Sequence, residues 1–422
     1  MVNRALLIAY HYPPIRVSSG VQRTLAFSRY LPDYGWEPMV LTPHRRVYDL
    51  TGEGQLKDIP EGLIVRDSFA LDSARHLAIG GHYLATLALP DRWISWWLGG
   101  VVTGLSMIRK YRPKVIWSTY PITTAHLIGL TLHRLTGIPW IADFRDSMTE
   151  SHYPADATKR RVYRWIERHS VAACSRAVFT TPGAIRMYAA RYPDIPAERW
   201  CLIPNGYDEE IFLDVEAGLA DVDRREGGTG PVVLVHSGIL YPSERDPSAF
   251  FTALAELKQA GEIDSQRLRV ILRASAHDDD FRPMLEANGI ADMVVFAPSI
   301  EYREALREMM TVDGLLIFQA ANCNHQIPAK VYEYLRAGRP ILALTDPAGD
   351  TATTLRGVGV DDIVPLDDAG AIKSVLSRFV ADITAGRKHA PGIAQVQRYS
   401  RKATTGDLAE LFGMVMGSCF AD

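Results

Sequence analysis

Apolar runs of four to six residues recur along the chain, and between them apolar positions return every third or fourth residue. The first pattern predicts buried strands and the second predicts helices packed on them, which together make βα units around parallel sheets. Strands are expected at 5–9, 38–41, 115–118, 140–143 and 177–180, and again at 232–236, 269–274, 293–297, 314–318 and 341–344. Two series of five strands predict two doubly wound α/β domains. A turn at 202–208 and a polar, acidic, glycine-containing stretch at 217–230 separate them, giving expected domains of 1–210 and 211–395. The last segment, 396–422, places Leu408, Leu411, Phe412 and Val415 on one helix face. Two doubly wound domains facing each other put the default ligand site in the cleft between them, beyond the C-terminal ends of their strands.

Composition narrows the function classes. A net charge of −3 with 23% charged residues gives no global field for nucleic acid. The four cysteines, Cys174, Cys201, Cys323 and Cys419, have no C-x-x-C or His spacing that suits zinc, and read as thiols in a reducing cytoplasm. The start, Met1 to Ala9, is too soon interrupted by Pro13 and Pro14 for a signal peptide and reads as a buried first strand. No run of about 18 uncharged apolar residues predicts a membrane span. Trp93, Trp96 and Trp97, followed by Arg109, Lys110 and Arg112, fit either a helix lying at the inner face of a membrane or a helix packed on a sheet.

Candidate chemistry gathers in the segments that follow predicted strands. In the run 327–344, Pro328 closes a loop, a short helix follows, and Gly338 and Pro340 end it before an apolar strand. Lys330 at the helix start suits an anion, and Glu333 offers a carboxylate to sugar hydroxyls, which is chemistry fitted to a nucleotide sugar; the bland alternative is a surface i, i+3 pair. After the first strand, Pro13-Pro14 and then Ser18-Ser19-Gly20 lead into a helix whose N-terminus favours an anion. Asp143-Phe144-Arg145-Asp146 sets two carboxylates about an arginine, so that Arg145 holds one and leaves the other for a hydroxyl; capping by Asp143 or Asp146 is the structural alternative. His236-Ser237-Gly238 begins the first loop of the second domain, and Asp278-Asp279-Asp280 reads as a solvated charge run in a loop. No acidic pair after a strand and no histidine cluster predicts a metal, and no cofactor is expected.

The segments 202–208, 237–245 and 327–344 resemble those of retaining GT-B glycosyltransferases of the group 1, family 4-like type, and the resemblance spans nearly the whole chain. It implies transfer of a sugar from a nucleotide diphosphate sugar to a hydroxyl acceptor in glycan or polysaccharide synthesis; a lipid-linked acceptor would go with membrane contact through the tryptophans, and the lack of an acidic pair favours a metal-independent enzyme. The resemblance assigns Glu333 to the donor ribose, and Arg245, spaced seven residues after Gly238, to the diphosphate with Lys330 and Arg273. Donor contacts extend to Pro298, His325, Gln326 and Ile327; Ser18, Ser19, Gly20 and Asp143 form an acceptor or phosphate loop; Arg145 and Asp146 join Arg245 and Lys330 as catalytic candidates. The chain departs from the family pattern in four places: Ser19-Gly20 for two glycines, Phe144-Arg145 for a histidine that contacts the transferred sugar, Ile239 for a basic residue after Gly238, and His325 for a glutamate eight residues before Glu333. The last two favour a rival reading, a catalytically silent GT-B binding or assembly protein; a sugar-nucleotide epimerase is the other. The resemblance also implies that the last helix packs back on the first domain.

Overall fold

The computed structural model describes residues 2–15, 19–52, 54, 56–78, 80–150, 153–219, 230–387 and 390–417. The chain divides into two compact units, Met1–Asn205 with Arg401–Asp422, and Gly206–Ser400. The expected linker at 217–230 falls largely outside the described residues.

The first unit carries β1 (Asn3–Ile8), β2 (Trp36–Pro43), β3 (Ile64–Ser68), β4 (Val115–Thr119), β5 (Trp140–Phe144), β6 (Arg176–Phe179) and β7 (Trp200–Leu202). They form one parallel sheet in the order β3-β2-β1-β4-β5-β6-β7. The central strands β4 and β5 are buried at every position, which is why they read as unbroken apolar runs. The second unit carries β8 (Val232–Ser237), β9 (Leu268–Arg273), β10 (Val294–Ala297), β11 (Gly314–Gln319), β12 (Ile341–Thr345) and β13 (Ile363–Val364), parallel in the order β10-β9-β8-β11-β12-β13. Both orders reverse direction beside their first strand, at β1/β4 and at β8/β11. Ligands of doubly wound sheets bind at such reversals, where the flanking loops part.

Three strands escaped the apolar-run signal: β3, β7 and β13. All lie at or next to a sheet edge, where β3 exposes Arg66 and Asp67 and β13 is two residues long. An edge strand buries too little for a continuous run to be needed.

The tryptophan segment belongs mainly to the fold. Trp96 is fully buried and its Nε1 donates to Ser68 Oγ at 2.9 Å; the Trp93 ring packs on Tyr10 with centroids 4.5 Å apart. The helix that holds Trp96, Ser95–Tyr111, lies against Thr123–Thr136 through Gly100 and Gly104, where any Cβ would collide with Ile128 and Leu132. Only Trp97 is exposed, and it too donates, to Thr131 Oγ1 at 2.9 Å. Two further expectations are corrected. Asp278, Asp279 and Asp280 are the first turn of the helix Asp278–Ala287, where acidic side chains meet the positive end of the dipole. The final helix begins at Arg401 rather than near 396, after a short helix Ile393–Val396 and the turn Gln397–Tyr399. Its Leu408, Leu411, Phe412 and Val415 are all buried in the first unit, with Phe412 edge-on to Trp36 at 5.0 Å.

Candidate functional site

In the second unit the reversal between β8 and β11 collects the most reactive side chains. The chain leaves β8 through Gly238 at φ +119, a conformation closed to residues with a side chain. A Cβ there would stand 2.7 Å from Lys330 Nζ, so the glycine is what lets the ammonium lie on the backbone. Lys330 opens the helix Lys330–Ala337, which has no side-chain cap at its N-terminus. Its Nζ is 3.1 Å from Nε2 of His236, itself fully buried in β8. Burial, aided by the nearby Arg245 charge and opposed by Glu333, brings the Lys330 amine down to about 7. Burial likewise holds the His236 imidazole neutral, with Lys330 adding to the effect. Arg245 is folded over its own loop, donating from Nη1 to the Ile239 carbonyl at 2.8 Å. That loop is pinned to the end of β11 by Ala320 N to Glu244 O, 2.7 Å, and by Asn322 Nδ2 to Ser243 O, 2.9 Å.

One helical turn beyond Lys330, Glu333 accepts from the Tyr302 hydroxyl at 2.8 Å. No local spacing links Tyr302 to Glu333, and His236 reads in the sequence as one polar residue in an apolar strand. Arg273 is differently employed from its expected phosphate role. Its Nε and Nη2 grip Glu308, the Nε bond at 2.9 Å, and Nη1 donates to the Pro298 carbonyl at 2.9 Å. With all three nitrogens engaged, Arg273 serves to fasten the end of β9 to the loop at Pro298. In the loop before Lys330, Gln319 Nε2 donates to the carbonyls of Cys323, 2.7 Å, and Gln326, 3.0 Å, while Asn324 Nδ2 reaches Asp346 at 2.5 Å. Ile327 is buried; the side chains of His325 and Gln326 lie 3.4 Å apart at the surface. A cavity of about 520 Å³ opens beside these loops, lined by Ser243, Asp246, Ala320, Asp346 and Leu366 among others; Gly238, Lys330 and Glu333 are not in its wall.

In the first unit the β1/β4 reversal holds a second set. Ser18 lies outside the described residues; Ser19 and Gly20 begin the helix Ser19–Tyr30. Asp143 is fully buried and its partner is Arg23, not Arg145: Nε to Oδ2 at 2.8 Å and Nη2 to Oδ1 at 3.2 Å. Arg23 also donates to the carbonyls of Ile203 and Pro204, each at 2.9 Å, and Thr119 Oγ1 donates to Asp143 at 3.3 Å. A carboxylate so enclosed fastens the end of β5, through Arg23, to the residues just after β7, and its burial closes it to a hydroxyl from outside the protein. Arg145 instead donates from Nη1 to the Gly20 carbonyl at 3.2 Å, its Nε is buried without an acceptor among the described residues, and Asp146 is exposed. Burial, with the Arg145 charge adding to it, pushes the neighbouring His11 imidazole down to about 3. Among the described residues no group of three or more His, Cys, Asp or Glu is gathered to hold a metal.

Residues 20–206 match the family model of the glycosyl transferase 4-like domain. The sequence matches none of the curated proteins. Among solved structures, sucrose-phosphate synthase from Thermosynechococcus elongatus shares 15% identity at a TM-score of 0.66, covering 99% of this chain and 100% of that one. The α,α-trehalose-phosphate synthase of Burkholderia xenovorans, in complex with glucose-6-phosphate, gives 14% and 0.64, covering 97% and 100%. HepE of Anabaena, in complex with UDP and glucose, gives 13% and 0.62, covering 97% and 99%. Identities this low show the fold, which is that of GT-B proteins: two Rossmann-like α/β units built on parallel sheets.

Proposed function

We propose that the protein is a retaining glycosyltransferase that takes a nucleotide diphosphate sugar in its second unit and transfers the sugar to a hydroxyl acceptor in glycan synthesis. One observation carries the reading: Lys330, Arg245 and Gly238 converge at the β8/β11 reversal with Glu333 one turn further on. Lys330 and Arg245 would meet the charge that develops on the departing diphosphate, and Glu333, steadied by Tyr302, would accept from the ribose hydroxyls. The glycosyl transferase 4-like match over 20–206 supports sugar transfer, and the UDP and glucose held by Anabaena HepE support a uridine diphosphate donor. Retention follows in this reading from attack on the donor's own face, assisted by the leaving phosphate, so no protein nucleophile is required.

In the first unit Arg145 and the N-terminus of Ser19–Tyr30 would face the acceptor. A lipid-linked acceptor is favoured by exposed apolar side chains on that unit. Phe69, Leu98, Val102 and Leu135 are 54%, 62%, 70% and 61% exposed, and the Arg46 guanidinium covers Phe69 at 5.0 Å. No helix among the described residues is long and apolar enough to cross a membrane, so contact would be peripheral. The decisive experiment incubates the protein with a panel of nucleotide diphosphate sugars and follows nucleotide diphosphate release and the anomeric configuration of product by NMR. Release with inverted product removes retention; binding without any release favours the catalytically silent reading. Because Lys330 and Arg245 supply the positive charge, turnover should persist in EDTA, and loss that magnesium restores would contradict that assignment.

A further inference from the structure

The contact between Lys330 and His236 has a direction set by geometry. Nδ1 of His236 lies 2.9 Å from the Leu316 carbonyl oxygen, which can only accept, so Nδ1 carries the ring proton. Nε2 is therefore a lone pair, and at 3.1 Å from Lys330 Nζ it accepts from the ammonium. The ring cannot easily turn away, being fully buried and edge-on to Phe318 with centroids 5.0 Å apart. Gly238 leaves room for the ammonium, since a Cβ there would stand 2.7 Å from Nζ. The strand thus presents the lysine with one acceptor at a fixed place, and the Tyr334 hydroxyl, accepting from Ser237 N at 2.8 Å, steadies the same turn.

Resting on the donor-site reading above, we propose that His236 is a positioning residue for Lys330: its Nε2 holds the ammonium beside Gly238, in the direction of a bound diphosphate. A hydrocarbon at position 236 would fill the same core space but leave the ammonium without this acceptor, and the amine would lose its proton more readily. The other charges acting on Lys330 are Arg245, which disfavours the ammonium, and Glu333, which favours it; His236 is the neutral third group and supplies direction. With the amine already lowered to about 7, diphosphate binding at or above neutral pH draws in a proton, and affinity falls as pH rises through that value.

The test measures the lysine independently of any nucleotide. Reductive methylation of the whole protein with formaldehyde, read at Lys330 by mass spectrometry across the neutral range, reports its free-amine fraction, and calorimetry with UDP reports binding. In His236→Phe the pH at which Lys330 labelling is half-maximal should fall below neutrality, and UDP should bind roughly tenfold more weakly, as expected for one lost charge-assisted hydrogen bond. His236→Gln, whose side-chain oxygen can accept from the ammonium, should recover most of both. Labelling and affinity unchanged in His236→Phe would overturn the proposal. Altered labelling in a protein that binds no nucleotide diphosphate would leave the His236–Lys330 link standing and remove the donor-site reading. Should His236→Phe fail to fold, the Nε2 nitrogen shift of His236 in the otherwise native protein decides, since it must move on Lys330→Met; a static shift overturns the link.

Discussion

Arg23 and Glu333 show how differently two charged residues can be placed. Arg23 sits with Asp143 in the interior of the first unit, every guanidinium nitrogen engaged by a carboxylate or a carbonyl. Removing one partner strands the other, so Asp143→Ala should lower the unfolding free energy by about 3–5 kcal/mol, the usual size for breaking a buried ion pair. Urea unfolding of the variant checks this, and a loss below about 1 kcal/mol, typical of exposed pairs, would mean that the pair is effectively solvated. Glu333 and Arg245 lie on a helix start and a loop. Glu333→Ala and Arg245→Ala should leave circular dichroism unchanged and weaken UDP binding by about tenfold or more, roughly 1.4 kcal/mol each. Native affinity in both variants would take the diphosphate and ribose roles away from them. Lys330 and Glu333 stand out as candidates in the sequence because helix-start chemistry is local, and Gly238 and Arg245 stand out through the family resemblance. The sequence could not show that Arg273 answers to Glu308, or Asp143 to Arg23, since those partners stand 35 and 120 residues apart.

Elements decide which face of a pattern is used. The helix Ser95–Tyr111 reads as strongly apolar on all sides, and packing splits it: Trp96, Gly100, Gly104 and Met107 go inward, Leu98 and Val102 outward. Arg109 and Lys110 close its exposed end. If this face lies on lipid, wild type should sediment with anionic vesicles at low salt, each nearby basic charge contributing roughly 1 kcal/mol. Leu98→Ser with Val102→Ser should reduce that binding without altering the melting temperature, whereas Trp96→Ser should destabilise the fold instead. Wild type remaining in the supernatant would assign Leu98, Val102 and their neighbours to ordinary surface. The three tryptophans alone could not make this distinction, because an indole that anchors in a bilayer and one that packs on a sheet share the same composition and spacing.

At the scale of the whole molecule, the first unit is closed by the end of the chain. Phe412 meets Trp36, the Tyr34 hydroxyl donates to the Lys402 carbonyl at 2.9 Å, and Lys402 pairs with Asp33 at 2.6 Å. Four buried side chains, Leu408, Leu411, Phe412 and Val415, contribute roughly 1.5–3 kcal/mol each, a sum comparable with the whole margin of a domain. A chain ending at Ser400 should therefore lose protection of β1 and β2 in hydrogen exchange while the second unit keeps its own; unchanged protection in β1 and β2 would refute the closing role of the last helix. The two α/β sheets, their central strands and the turn at Gly238 were determined by the sequence itself, because strands buried on both faces must be apolar throughout and a φ of +119 calls for glycine. The edge strands β3, β7 and β13, the buried pair Arg23–Asp143, the engagement of Arg273 and the acceptor that His236 offers Lys330 were decided only by the tertiary structure. Each depends on which distant segment arrives alongside, and a pairing between distant segments leaves no period in the chain to be read.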